Sequence, residues 1–136
     1  MRRLTDKEYI DIYSKVPRVC VDLIIMVGNH FVLEKRDTEP YLGMWGLIGG
    51  GVSFGETLEK AIQRHALDGL GVSVSVIRCL GIKEYLGNDG WRHSVSLNYL
   101  VKPVNDIINP KAKMFISLPD NTLPTHAELL KEWRFV

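Results

Sequence analysis

The stretch GGGVSFGETLEKAIQRHALDGLGV, residues 49 to 72, decides the fold of this chain. Its glycines allow a close backbone approach to a ligand, and the following apolar residues at helical spacing predict a helix over about residues 56–68. Such a helix can present carboxylates at i, i+3 and i+4 on one face, where together they hold a divalent cation. After Arg64 this stretch contains a single carboxylate, Asp68, so most of the negative charge that would hold such a cation is missing.

Length and composition bound the class of protein. The chain has 136 residues, which fits a single domain over residues 1–136. Apolar residues make up 46% and charged residues 24%, as in an ordinary globular protein. A formal net charge of +1 gives no global electrostatic reason to bind nucleic acid or an anionic membrane. Any anion site is therefore expected to be local.

The N-terminal residues and the cysteines bear on compartment. MRRLTDKEY reaches polar and acidic residues within a few positions, so it lacks the apolar core of a signal peptide, and a cytoplasmic location is expected. Cys20 and Cys79 are too few and too far apart for a disulfide framework or a zinc site. Both lie in strand-like runs, which predicts buried, reduced thiols.

The N-terminal third predicts a helix followed by a hairpin. Thr5 and Glu8 have capping-box spacing, and apolar residues continue the helical pattern until a helix should end before Pro17. Residues 19–27 and 30–36 are apolar and β-branched, and Gly28 with Asn29 between them has the composition of a two-residue turn.

The rest of the chain predicts an α+β fold with a mixed sheet between helices. A short strand at 44–48, a strand after residue 72 and an alternating strand over 92–104 give a sheet of at least four strands. A turn is predicted at 88–90, a polar, proline-containing loop at 105–124, a last helix starting at a Thr125–Glu128 capping box, and a terminal strand at 132–136.

The spacing of the quoted stretch resembles the Nudix box. From Gly50, Glu56 follows six residues later and Arg64 eight later, and Gly71 with Val72 closes the frame G-x5-E-x7-R-E-U-x-E-E-x-G-U, where U is aliphatic. The preceding LEKR and G-x-W segments also resemble the approach to that box. The resemblance implies the Nudix fold. The box places three carboxylates after its arginine, and in this chain those positions are His65, Asp68 and Gly69, so ordinary hydrolysis at phosphorus is not expected.

Within the superfamily the chain most resembles GDP-mannose mannosyl hydrolases. Those enzymes have an N-terminal helix, an Asp in the first strand, a Lys-Arg pair closing the second strand and a box with fewer glutamates that binds one Mg²⁺. The resemblance implies attack of water at the anomeric carbon of a nucleotide sugar. It assigns catalytic roles to Asp22, Arg36 and His126, substrate contacts to Lys35, Arg64 and Trp45, and metal ligation to Gly49, Asp68 and His65, with Mg²⁺ or Mn²⁺ as the cofactor. His126 lies about one helical turn earlier than the base of that branch.

Each of these residues also has a purely structural interpretation. Asp22 could pair with Arg36 or Lys35 across the hairpin, Arg64 could brace Glu56, and Trp45 could fill the core. His65 and His93 share faces with apolar residues, and Asp68 before Gly69 resembles a helix end.

Two functions remain open from sequence. The first is a Nudix-type hydrolase of a GDP-mannose-like nucleotide sugar, with Asp68 supplying the charge of any remaining metal site. The second is a catalytically impaired Nudix module that binds a nucleotide or a protein partner. Neither involves nucleic acid or a membrane, and the apolar face of the helix within residues 1–17 suits a homodimer contact.

Overall fold

The computed structural model describes residues 3–87 and 92–136. The helices and strands in chain order are α1 (Asp6–Tyr13), β1 (Arg18–Val27), β2 (His30–Lys35), β3 (Trp45–Gly46), β4 (Ile48–Gly51), α2 (Leu58–Leu70), β5 (Val74–Leu86), β6 (His93–Pro103), β7 (Ala112–Phe115) and α3 (Pro124–Glu132). The strands form one seven-stranded sheet in which β3, β2, β1, β6 and β5 are successive neighbours, while β4 pairs with β1 and β7 with β2. The predicted turn at 88–90 lies outside the described residues.

Strand β1 is central, and its pairing makes the sheet mixed. It runs antiparallel to β2 across the predicted Gly28–Asn29 turn, with Val27 opposite His30. It runs antiparallel to β4 and parallel to β6, so Asp22 has Gly49 as its neighbour on one side and Asn98 on the other. The parallel pairing aligns the polar positions of two strands that are far apart in sequence.

Helices cover both faces of the sheet, which confirms the α+β prediction. On one face, α2 packs Ala61, Ile62, Ala66 and Leu70 against Val21, Leu23 and Ile25 of β1. On the other face, α3 packs Leu129 and Leu130 against Ile24, Phe31 and Leu33. Because side chains alternate along a strand, Asp22 lies on the α3 face.

The helix starts follow the sequence signals in part. The Thr5–Glu8 capping box forms as predicted and begins α1. Helix α2 begins slightly later than predicted, with Thr57 as its N-cap, and ends at Gly71 with a φ of +79°.

No helix among residues 3–87 and 92–136 has the length and apolar character needed to cross a membrane.

Four sequence predictions were wrong. The predicted loop at 105–124 contains strand β7 (Ala112–Phe115), which pairs with β2. Helix α3 begins at Pro124 with Leu123 as N-cap and no side-chain capping bond, so the Thr125–Glu128 capping box does not form. The terminal strand is absent, because α3 continues to Glu132 and the chain then turns back so that the Phe135 N–H donates to the Leu130 carbonyl at 2.8 Å. Cys20 is buried as expected, but Cys79 is exposed on the outer strand β5.

Candidate active site

Asp22 is a carboxylate placed in the central strand β1, on the α3 face of the sheet. The hydroxyl of Ser96, on the adjacent parallel strand, donates a short hydrogen bond to Asp22 Oδ2. A Cβ added at Gly49 would lie 2.6 Å from Asp22 Oδ1, so the glycine leaves room for this carboxylate. Among the described residues Asp22 has no salt bridge with Lys35 or Arg36, because β4 lies beside it. The structural pairing across the hairpin does not occur.

Two buried polar atoms share the face of Asp22. The Tyr85 hydroxyl and Asn98 Oδ1 are buried and have no hydrogen-bond partner within residues 3–87 and 92–136. Burial raises the pKa of Tyr85 to about 12, and the nearby charges of Asp22, Glu128 and Glu132 add to that increase. Buried polar groups normally find partners. These two orphaned atoms therefore mark this region as suited to a polar ligand.

His126 of α3 reaches the same region. Its Nδ1 accepts a hydrogen bond of 2.9 Å from the backbone N–H of Leu47. A neutral imidazole has one proton, so Nε2 carries it and is a donor. Burial lowers the pKa of His126, Arg36 lowers it further, and Asp22 opposes both. A neutral His126 in this geometry therefore donates from Nε2. Its catalytic role stays a prediction.

The remaining residues assigned near the substrate take different positions. Arg36 lies close enough to His126 to affect its pKa, and its Nε donates to the Pro40 carbonyl at 2.8 Å. Lys35 is exposed at the end of β2 and stays a predicted substrate contact. Trp45 packs edge-on against Phe115 with ring centroids 5.0 Å apart, which supports its core role over a substrate contact.

The glycine-rich loop and α2 are joined by the Glu56–Arg64 pair. Arg64 Nε donates to Glu56 Oε2 and Nη2 to Glu56 Oε1, both at 2.8 Å, and Nη2 also donates to the Gly51 carbonyl at 2.9 Å. This bidentate pair lowers the pKa of Glu56 to about 2, chiefly through the Arg64 hydrogen bonds. Arg64 therefore holds the glycine-rich loop against helix α2.

Changing Glu56 to Gln should destabilise the protein by about 2 kcal/mol near neutral pH, because a hydrogen-bonded charge pair is lost. The folded pKa of Glu56 lies below its ordinary value of 4.5, so its stabilisation is present above that value and is lost as pH falls toward about 2. Urea denaturation across that range should show the two proteins converging at low pH. Glu59→Gln, at an exposed position of the same helix, is the control. Equal costs for the two variants would contradict this role.

Of the three predicted metal ligands, Gly49 lies in β4 beside Asp22, and His65 and Asp68 lie in α2. His65 Nε2 is hydrogen-bonded to the Gly51 carbonyl at 2.9 Å, so this nitrogen is already engaged as a donor. Asp68 is exposed. Gly69, which was not a predicted ligand, stands where the Nudix box has another carboxylate. It is buried, and a Cβ there would lie 2.7 Å from Ile48 Cγ2.

These residues therefore do not fit a metal site built from several carboxylates of the box helix. Within residues 3–87 and 92–136, no three or more His, Cys, Asp or Glu side chains are grouped to hold a metal ion. Asp68 has Glu34 nearby, whose pKa is raised by burial, with Asp37 and Asp68 adding to the increase and Lys111 opposing it. The positive charge of Lys111 thus already offsets part of the negative charge around Glu34. Ligation by Asp68 and Gly49 stays a prediction, and no catalytic step below depends on it.

Comparison with known proteins fits this architecture. The NUDIX domain family matches residues 16–133, which is most of the chain. The chain belongs to the Nudix family. A MutT NUDIX hydrolase from Burkholderia pseudomallei superposes with a TM-score of 0.75 at 25% identity, covering 85% of this chain and 97% of that one.

Named relatives of this Nudix protein are hydrolases or act in glycan synthesis. The ADP-ribose pyrophosphatase of Methanocaldococcus jannaschii is 30% identical over 125 residues, which are 86% of this chain and 73% of that protein. The low-salt glycan biosynthesis protein Agl8 of Haloferax volcanii is 40% identical over 83 residues, 61% of this chain. The match spans about half of Agl8, 53% of its length. The family agrees with the expectation of a Nudix-type hydrolase.

Sequence reasoning missed Ser96 and Tyr85 of this Nudix protein. A signal for Ser96 was present, because Ser94, Ser96 and Asn98 alternate with apolar residues in one strand and must share its polar face. What the sequence did not contain was the parallel register of β6 against β1, which places that face beside Asp22.

Proposed function

We propose that this protein hydrolyses a nucleoside diphosphate sugar by attack of water at the anomeric carbon. The observation that carries the proposal is Asp22, which is held by Ser96 and which, like Arg36, lies close enough to His126 to affect its pKa. A fixed carboxylate beside the sugar suits a reaction in which positive charge develops at the anomeric carbon. The resemblance to GDP-mannose mannosyl hydrolases supports a GDP-mannose-like substrate, and the similarity to Agl8, whose name refers to glycan biosynthesis, is consistent with it.

Each side chain has a defined task in this reaction. Water adds to the anomeric carbon, the bond from that carbon to the diphosphate oxygen breaks, and the bonding electrons leave with the diphosphate. Asp22 stabilises the developing positive charge and accepts the proton of the attacking water. His126 offers Nε2–H to a substrate oxygen, and Arg36 meets the charge of the departing diphosphate.

The lost ligand positions fit this chemistry better than attack at phosphorus. Breaking a carbon–oxygen bond leaves a diphosphate whose charge guanidinium groups can offset. Attack at phosphorus places more demand on clustered metal ligands. The position of Gly69 against Ile48 and the engaged His65 therefore favour release of free sugar.

Isotope labelling tests the proposal. The purified protein should be incubated with GDP-mannose, other nucleotide sugars and ADP-ribose in water enriched in oxygen-18, with and without Mg²⁺. We expect free sugar carrying the label and an unlabelled nucleoside diphosphate. Labelled nucleoside monophosphate with sugar phosphate would overturn the proposal in favour of a pyrophosphatase.

A binding module is the second candidate function. It is favoured by one observation, the absence of a cluster of three metal-ligating side chains among the described residues. Nucleotide binding without turnover of any substrate in the same panel would establish it. The proposed homodimer, single domain of residues 1–136 and cytoplasmic location are compatible with either function. Exposed Ile10 and Ile12 on α1 support the dimer proposal.

A further inference from the structure

A cavity lies where α1 meets the first residues of β1 and β6. Its volume is about 320 Å³. The residues that carry charge or aromatic rings in its lining are Tyr9, Tyr13, Arg18, Arg36, Arg92 and His93. Two of them, Arg18 and Arg36, place guanidinium groups around one cavity, which favours an anionic ligand.

Arg18 connects this cavity to the Nudix box. A Cβ added at Gly51 would lie 2.7 Å from Arg18 Nη2 and 2.8 Å from Arg18 Nε, so the guanidinium lies directly over that glycine. The Gly51 carbonyl accepts from Arg64 Nη2 on its other side. Arg36 lines the cavity and also influences His126. One ligand could therefore extend from the cavity to the proposed reaction centre.

The aromatic part of the lining matches the other half of a nucleotide. Tyr9 and Tyr13 lie with ring centroids 4.9 Å apart, and the Arg18 guanidinium carbon is 5.2 Å from the centroid of the Tyr9 ring. Rings beside guanidinium groups bind flat heterocycles by stacking and phosphates by charge-assisted hydrogen bonds. A neutral sugar would bring no charge for the guanidinium groups to offset.

We propose that this cavity binds the nucleoside diphosphate part of the substrate, with Arg18 contacting a phosphate and the tyrosines of α1 contacting the base. The proposal deepens the proposed function and rests on it only for the identity of the complete substrate. It assigns a ligand-binding role to α1, which lies outside the Nudix box. Arg18 is a binding residue in this scheme, and Asp22 performs the chemistry.

Calorimetric titration of the full chain with GDP, ADP and UDP, and with inorganic pyrophosphate alone, tests the cavity. At least one nucleotide should bind more tightly than pyrophosphate, and Arg18→Gln should weaken that nucleotide by about 10-fold or more. Arg78→Gln, at an exposed arginine of β5 that does not line the cavity, should bind like the wild type. Gly51→Ala supplies an independent probe, because its methyl group displaces the Arg18 guanidinium, the flexible end of a side chain.

The outcomes separate this inference from the proposed function. Loss of nucleotide affinity in both Arg18→Gln and Gly51→Ala, with unchanged thermal unfolding, supports the cavity even if no nucleotide sugar is hydrolysed. In an active enzyme the same variants should raise KM while leaving kcat nearly unchanged. Wild-type affinity in both variants, or no binding of any of the nucleotides by the wild type, overturns the inference, whatever the labelling experiment shows.

Discussion

Replacing Asp22 by Asn should lower kcat for release of sugar from a nucleotide sugar by about 10³-fold, the scale of losing a positioned acid–base group. The amide keeps the size of the carboxylate and can still accept the Ser96 hydrogen bond. It cannot stabilise positive charge at the anomeric carbon or accept a proton from water. Steady-state kinetics on the substrate found in the labelling experiment would measure the effect.

The Asp22 variant should bind nucleoside diphosphate as the wild type does, because the arginine-lined cavity is intact. Asp106→Asn, at an exposed aspartate in the loop before β7, is the matched control and should retain full activity. Ser96→Ala should reduce kcat less than Asp22→Asn does, since it frees the carboxylate without removing it. Retention of wild-type kcat by Asp22→Asn would place the chemistry elsewhere.

Much of the fold followed from local sequence signals. The Gly28–Asn29 turn, the Thr5 cap and the spacing from Glu56 to Gly71 depend on residues close together in the chain, so they could be predicted. The C-terminal strand could not, because alternation of Trp133 and Phe135 resembles a strand. In the structure both side chains pack with Leu129 and Leu130 on the α3 face, which requires the helix to continue.

The candidate site was predictable only where one residue was unusual by itself. Asp22 interrupts an apolar run, and a charge there had to have a function or a partner. Its partner Ser96 lies 74 positions away, joined through parallel pairing that no local pattern encodes.

The role of His126 also depended on a contact distant in sequence. The residue could be singled out, but its donor role could not. The Leu123 N–H donates to the Trp45 carbonyl at 2.8 Å, and this contact helps to bring His126 against the Leu47 N–H, which fixes its tautomer.

The surroundings of Gly69 explain why a glutamate placed there would not simply restore a carboxylate ligand of the box. Gly69 is buried in α2, and Ile48 Cγ2, Cδ1 and Cγ1 would lie 2.7, 2.9 and 2.9 Å from an added Cβ. Ile48 is 2% exposed and belongs to the core that joins α2 to β1, so it has little space to move. A longer side chain at Gly69 must therefore displace packed core atoms.

Gly69→Glu should destabilise the protein by about 3 kcal/mol or more, because overpacking adds to the cost of a poorly solvated carboxylate. Gly69→Ala should cost less than Gly69→Glu, because its Cβ meets the same Ile48 atoms but adds no charge, and better helix propensity offsets about 1 kcal/mol of the overpacking. Asp68→Glu, at the adjacent exposed position, is the control and should change stability by no more than about 0.5 kcal/mol. Urea denaturation of the three variants measures these differences. If Gly69→Glu unfolds at the wild-type midpoint, then Ile48 can move aside and the box retains room for a second carboxylate. The expected loss would instead show that the packing of Ile48 excludes that ligand.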